Sequence, residues 1–399
     1  MTRTNTRRIL HIANWYPNPL DTIDGNFVRD QIQVFAQELP ADVVYVQVRP
    51  KAKGWPRFTR PTLEGGARGY LLQAPVRPGK VMEWLSTLLL LGVLLRERAW
   101  RFKALHFHIA YPLLMHSRLW RWIFRKPIVI SEHWSAYHYK FHLPEDSRPL
   151  ARMRRPFQQG DPVFAVSAAL LADIRAFSQR DDFKGFVLPN VVPLHGATEG
   201  LRDVPVLFAV NRWNPIKKPM AMLEGLHQAA EDGQDFELVI GGFGALIDEM
   251  KTFVETSSLH KRTRFTGKLT KPEIAAQLAE SDGYLFSSDY ETFSIACAEA
   301  LGAGVPLIGP HIPAIAEYAG PEDRIEVVSR TPEAWQDAIA RFHAIWARGD
   351  WDRVAIACRA RGNFSETRLR AQYLAAMRNI GLAPGQEDPI PTAMLDRPE

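Results

Sequence analysis

Apolar positions in the first half of the chain alternate between two periods. Short apolar runs of strand character recur at 8–13, 42–48, 104–107, 127–131, 162–166 and 186–188. Between them, apolar residues spaced three and four apart predict helices over 25–39, 81–100, 111–124, 149–158 and 167–177. Residues 49–80 are rich in Pro, Gly and Arg and predict loop around a strand at 69–73. The second half repeats the alternation, with strands expected at 206–210, 237–240, 264–266, 284–287, 306–309 and 325–328. Helices fill the gaps, among them 293–303 and a last helix, 365–380, with Leu369, Leu374 and Met377 on one side. Strands alternating with helices predict mainly parallel sheets covered on both faces. The fold class is therefore α/β, with two doubly wound Rossmann-like domains facing across a cleft. The first takes 1–193 and the second 205–364; a linker, 194–204, joins them, and a helix, 365–381, precedes a loose tail, 382–399.

Composition narrows this picture. The 399 residues are 46% hydrophobic and 11% aromatic, enough for two cores. Cys297 and Cys358 have no metal-ligand spacing, which points to a reducing compartment and a fold without disulfides. The basic N-terminus carries too short an apolar run for a secretory signal. The longest apolar run, 81–95, contains Glu83 and falls short of the ~20 residues that span a bilayer, so a core or interfacial helix is expected. Charge is unevenly divided. Residues 1–195 hold 28 Lys and Arg against 15 Asp and Glu, a net of +13, while the rest carries −8. One half is thus suited to face something anionic.

Ligands in doubly wound sheets gather at the carboxyl ends of strands. Three such loops in the second half share a theme. In Asn211-Arg212-Trp213-Asn214-Pro215-Ile216-Lys217, Arg212 and Lys217 flank a turn and together can neutralise a diphosphate. Gly241-Gly242-Phe243-Gly244 lets backbone approach a ligand, although Ile247 at the third glycine position makes a poor dinucleotide fingerprint. The third loop, SSDYETFSIACAEALGAG from Ser287, leads into an apolar helix carrying Glu299, with Glu291 at its entry. Main-chain N–H groups of Thr292, Phe293 and Ser294 at that helix start favour phosphate, whereas the two carboxylates favour hydroxyl donors. A carboxylate such as Glu299 in an apolar helix is costly without partners, which ribose hydroxyls or a neighbouring Arg or amide would supply. His106 and His108 share one face of a strand, but no third ligand is apparent and no metal is expected.

These loops, in this order and spacing, resemble glycosyltransferase family 4, as do Ala165-Val166-Ser167, Pro189-Asn190-Val191 and Phe364-Ser365 with its helix. The resemblance runs from about Ile9 to Ile380. It implies the GT-B fold, with the C-terminal helix crossing back to the first domain. It also implies transfer with retention of anomeric configuration, no metal and no cofactor beyond a nucleotide-diphosphate sugar, a UDP-sugar first. Arg212 and Lys217 would bind the donor diphosphate, with Gly242, Gly244, Thr292, Phe293 and Ser294 also on the donor side. Glu291 would meet the donor sugar, Glu299 the ribose, and His133 would lie near the reacting sugar. Gly25 and Asn26 would lie on the acceptor side. Three positions depart from the family pattern: Thr292 and Ser294 stand where relatives carry two glycines, Asn26 follows Gly25 instead of a second glycine, and Trp134 follows His133 instead of Gly.

The first domain would receive a glycan or lipid-linked acceptor, as in envelope or surface polysaccharide synthesis. Its basic residues are interleaved with Trp84, Trp100, Trp120 and Trp122, which either pack in the core or meet an anionic membrane surface. A cytoplasmic protein, peripheral on the inner face of the membrane, follows from this expectation. No nucleic-acid module is recognised. The alternatives are a sugar-nucleotide epimerase of similar two-domain build and a noncatalytic partner that keeps the fold.

Overall fold

The computed structural model describes residues 8–77, 79–194 and 203–384, so most of the expected linker and tail lie outside the described residues. The first sheet is built from β1 (Ile9–Ala13), β2 (Ala41–Pro50), β3 (Arg57–Thr59), β4 (Arg68–Ala74), β5 (Ala104–His108), β6 (Ile128–Glu132), β7 (Val163–Ala165) and β8 (Gly185–Val187). Their order is β3-β4-β2-β1-β5-β6-β7-β8, parallel except for the β3–β4 edge. Its helices are α1 (Asn26–Glu38), α2 (Lys80–Arg96), α3 (Ser117–Phe124), α4 (Arg148–Met153) and α5 (Ala168–Ser178). Every residue of β1, β5 and β6 is buried, as helices on both faces require of central parallel strands.

The second sheet has the order β11-β10-β9-β12-β13-β14, all parallel. Its strands are β9 (Val206–Arg212), β10 (Glu237–Phe243), β11 (Thr263–Gly267), β12 (Gly283–Leu285), β13 (Leu307–Pro310) and β14 (Arg324–Val327). The helices are α6 (Pro219–Glu231), α7 (Ile247–Glu255), α8 (Lys271–Ala279), α9 (Ile295–Gly302), α10 (Pro313–Ala316), α11 (Pro332–Ala347), α12 (Arg353–Phe364) and α13 (Glu366–Asn379). The last of these packs on the first domain. Tyr373 stacks on Phe35 of α1 at 3.9 Å, and Arg370 donates to Glu38 at 2.5 Å.

At two helices that differ from expectation, proline sets the boundary. The helix expected over 111–124 begins only at Ser117, because Pro112 removes a donor and restrains Tyr111. The helix expected over 149–158 ends at Met153 and gives way to a 3-10 turn over 155–159 around Pro156. The strand β3 has only three residues and no alternation long enough to read. The tryptophans divide: Trp120 is fully buried, whereas Trp84, Trp100 and Trp122 are exposed. Among the described residues, no helix is long and apolar enough to cross a membrane.

Candidate functional site

The loops after β9 and β12 are sewn together by hydrogen bonds. The Asn214 side chain accepts from the Ile216 N–H at 3.1 Å and caps a 3-10 turn over Pro215–Lys217. The Ile216 carbonyl accepts from the Asp289 N–H at 2.8 Å, and the Ser287 hydroxyl donates to the Lys217 carbonyl at 2.6 Å. This registration brings Lys217 Nζ to 2.5 Å from Glu291 Oε1. Ser288 Oγ donates to the same oxygen at 2.6 Å. Both charged side chains are mostly buried, at 16% and 14% exposed, so the pair is shielded from bulk water.

Helix α9 starts at Ile295 rather than Phe293 because Ser294 lies in the left-handed region, at φ 64°. A side chain there is strained. The Tyr318 hydroxyl holds the turn, 2.7 Å from the Phe293 carbonyl and 3.1 Å from that of Ser294. Glu299, inside α9, is buried at 6% exposure, and its carboxylate has no protein hydrogen-bond partner among the described residues. Burial pushes its pKa up to about 7, opposed by the charge of Lys271.

Gly242 and Gly244 are demanded by protein contacts. A Cβ at either would fall 1.9 Å from the Asn211 carbonyl oxygen or 2.1 Å from that of Trp213. The Gly241 carbonyl accepts from the Trp213 indole at 2.8 Å, which locks the glycine loop to the loop of Arg212. Arg212 itself is exposed, with its guanidinium 6.0 Å from the Phe243 ring centroid.

In the first domain, Gly25 precedes α1, and a Cβ there would lie 2.4 Å from the Trp15 carbonyl carbon. Asn26 is the first residue of α1. His133 follows β6, buried against the Phe27 ring at 4.9 Å, with no hydrogen bond to either ring nitrogen. Burial lowers its pKa to about 3, with the Asn190 amide nearby acting in the other direction. Glu132, beside it, is fully buried; it accepts from the Ala110 N–H at 2.7 Å and the Tyr137 hydroxyl at 2.6 Å. Burial raises its pKa to about 7.

The two halves of the site meet. The charge of Arg212 acts on Asp24, and that of Glu291 acts on Tyr139. Tyr290 stacks on His138 at 4.0 Å and donates to Asp173 at 2.5 Å. Sequence reasoning missed Ser288, Tyr290 and Asp24; Tyr290 adjoins Glu291, but nothing in its neighbours' spacing singles it out.

One expectation is corrected. The β1–β5 register sets His11 opposite His106, supplying a third imidazole beside His106 and His108. All three are fully buried. His11 Nδ1 lies 2.9 Å from His108 Nε2, and His106 Nε2 lies 2.7 Å from Ser131 Oγ. Their ring planes are inclined by 23–36°, and one ring nitrogen of each lies within 4.8 Å of those of the others. His106 and His108 are held well below the usual imidazole range by burial.

Two doubly wound parallel-sheet domains, with the Lys217–Glu291 pair at the strand ends of the second, have the GT-B architecture. Residues 31–195 match the model of glycosyltransferase family 4, and residues 197–347 that of the glycosyl transferases group 1. The chain belongs to glycosyltransferase family 4. It is 32% identical over 123 residues to a GDP-mannose-dependent alpha-mannosyltransferase of Mycolicibacterium smegmatis; the match covers 30% of this chain and 28% of that protein. The chain thus aligns with less than a third of that relative's length. In fold it is similar to sucrose-phosphate synthase from Thermosynechococcus elongatus, at TM-score 0.73 and 16% identity over 94% of this chain and 99% of that one. It is similar also to Anabaena HepE in complex with UDP and glucose, at TM-score 0.70 and 13% identity over 93% of this chain and 99% of that one. Both matched models are of transferases, which leaves the epimerase alternative without support.

Proposed function

We propose that this chain moves a sugar from a nucleotide-diphosphate sugar, a UDP-sugar first, to a glycan or lipid-linked acceptor in envelope or surface polysaccharide synthesis, with retention at the anomeric carbon and without metal. The observation that carries this reading is the shielded Lys217–Glu291 pair beside the strained start of α9, with Glu299 buried and unpartnered one turn on.

Each part has a task. The donor diphosphate draws Lys217 and Arg212 to itself, neutralising the charge that grows as the sugar leaves. Glu291, still held by Ser288, is then released to accept from sugar hydroxyls. Main-chain N–H groups at the start of α9 face the phosphate. Glu299 accepts from ribose hydroxyls, which turns an unfavourable buried carboxylate into a satisfied one. His133, held neutral by burial, lines the acceptor side as a neutral hydrogen-bonding group.

The UDP preference rests on solved neighbours in complex with UDP or UDP-glucose, among them HepE. The Mycolicibacterium relative is named for GDP-mannose, so guanosine donors are the second class to examine. The test is a thermal-shift panel of nucleotide-diphosphate sugars, followed by product analysis of the anomeric configuration. One donor should raise the melting temperature by mass action; a flat panel would remove the reading.

Peripheral attachment to an anionic membrane is supported by α2. Its buried side includes Glu83, Ser86 and Thr87, and Glu83 pairs with Arg152 at 3.0 Å. Its outer side presents Val81, Trp84, Leu88 and Leu95, followed by Arg96 and Arg98. Apolar residues facing outward beside cationic ones suit a lipid interface. Flotation with vesicles rich in phosphatidylglycerol checks it, and protein left at the bottom of the gradient at low salt would refute it.

A further inference from the structure

Three loops of the first domain bring five aromatic rings to one place. Trp15 follows β1, and Phe27 lies in the first turn of α1. Tyr111 follows β5, and Trp134 and Phe141 follow β6. Trp15 and Trp134 meet edge-on at 5.4 Å, Trp15 and Phe27 at 6.2 Å, and Trp134 and Phe141 at 5.1 Å. Tyr111 lies 6.3 Å from Trp134. Each ring is only half-buried, so the cluster keeps apolar faces in water at the carboxyl edge of the sheet.

The surroundings fix the orientation of this wall. The loop carrying Trp134 continues to His138, which stacks on Tyr290, the neighbour of Glu291. Asp24 and Arg49 form an ion pair at 2.7 Å near Gly25, and Arg212 of the second domain acts on the same carboxylate. A carboxylate and a guanidinium side by side offer both an acceptor and a fork of donors to neighbouring hydroxyls. Gly25 is occupied by its contact with the Trp15 backbone, and Asn26 rather than a second glycine follows it.

We propose that these rings are the acceptor subsite, and that the acceptor is a neutral hexopyranose of a glycan, laid by its C–H face on Trp134, with Trp15 bounding its edge and hydroxyls toward Asp24 and Arg49. The assignment rests on the transferase reading above and deepens it. The weakly positive C–H face of a pyranose complements the negative π face of an indole, while its rim of hydroxyls needs polar partners.

Saturation-transfer NMR with the methyl glycosides of glucose, mannose and galactose, in the presence of UDP or GDP, tests the assignment. Transfer to ring C–H protons of at least one glycoside is expected. Trp134→Ala and Trp15→Ala should each weaken it about fivefold, and Trp134→Phe should retain most of it. The melting-temperature rise caused by the nucleotide, read on the same samples, reports folding and donor binding in every variant. A retained nucleotide shift with no transfer to any glycoside, or with transfer undiminished in both alanine variants, would overturn the subsite alone. Loss of the nucleotide shift in the unaltered protein would overturn the transferase reading itself, and the subsite with it.

Discussion

Lys217 Nζ and Glu291 Oε1, in residues 74 apart in sequence, lie 2.5 Å apart at the mouth of the second sheet. In the proposed transferase, this pair would hold the cation and the carboxylate ready for different parts of one donor. Removing either member strands the other in a mostly buried place. Lys217→Ala and Glu291→Gln are each expected to lower turnover at least ~100-fold in a donor-consumption assay. Near-normal rates in both would remove these residues from the reaction.

The buried carboxylate of Glu299 makes stability depend on pH. Its folded pKa of about 7 lies above the ordinary 4.5, so its favourable contribution is complete below 4.5 and lost as pH rises through 7. Glu299→Gln should not lose that contribution. In urea unfolding of the unliganded protein, the variant should gain on the order of 1–3 kcal/mol relative to the unaltered chain between pH 4.5 and 7.5. The same substitution should weaken nucleotide binding about tenfold, since it removes charge-assisted hydrogen bonds.

Histidines act at the other end of the scale. His11 and His133 are lowered to about 3 from 6.5, so their contribution is full above 6.5 and is lost as pH falls toward 3. His106 sits in the same stack and shifts in the same direction. His106→Leu should make the loss of stability between pH 6.5 and 5 shallower, as read by urea midpoints at a series of pH values. An unchanged slope would show that the stack does not govern acid sensitivity.

Ser294 tests strain directly. Glycine has no penalty at φ 64°, whereas a β-branched residue there is severely crowded. Ser294→Gly is expected to leave stability unchanged or raise it by up to about 1 kcal/mol, and Ser294→Val to lower it by about 2 kcal/mol. Circular-dichroism unfolding curves decide, and the reverse ranking would contradict the backbone geometry of this turn.

Tyr290 joins the domains through a hydroxyl that a conservative change can delete. Tyr290→Phe keeps the stack on His138 but loses the 2.5 Å bond to Asp173. Its expected effect is a several-fold rise in KM for the donor with a smaller change in kcat, since closure and not chemistry is weakened.

Parallel α/β order was legible because each strand is short, apolar and bounded by turn residues, and each helix keeps its period. The helix start near Pro112 and the helix end near Pro156 were legible in principle, since proline restrains its predecessor; apolar periodicity alone runs straight through both. Glu299 could be singled out because a charge in an apolar helix demands a partner, and Arg212, Lys217 and Glu291 because they stand at turns after strands. What no local pattern contains is register. Only the pairing of β1 with β5 brings His11 to His106, and only loop convergence joins Trp15, Tyr111 and Trp134. Contacts of that kind depend on tertiary closure between segments about a hundred residues apart.

The return of α13 to the first domain has a consequence for the order in which the protein is made. Leu369, Tyr373, Ala376 and Met377 complete the cover over the face that carries His11 and His106, yet they are made after every strand of both sheets. At ordinary elongation rates, roughly ten to forty seconds separate synthesis of the end of the first domain from theirs. Throughout that interval the histidine face lacks its lid, and a nascent first domain has reason to wait for its own C-terminus.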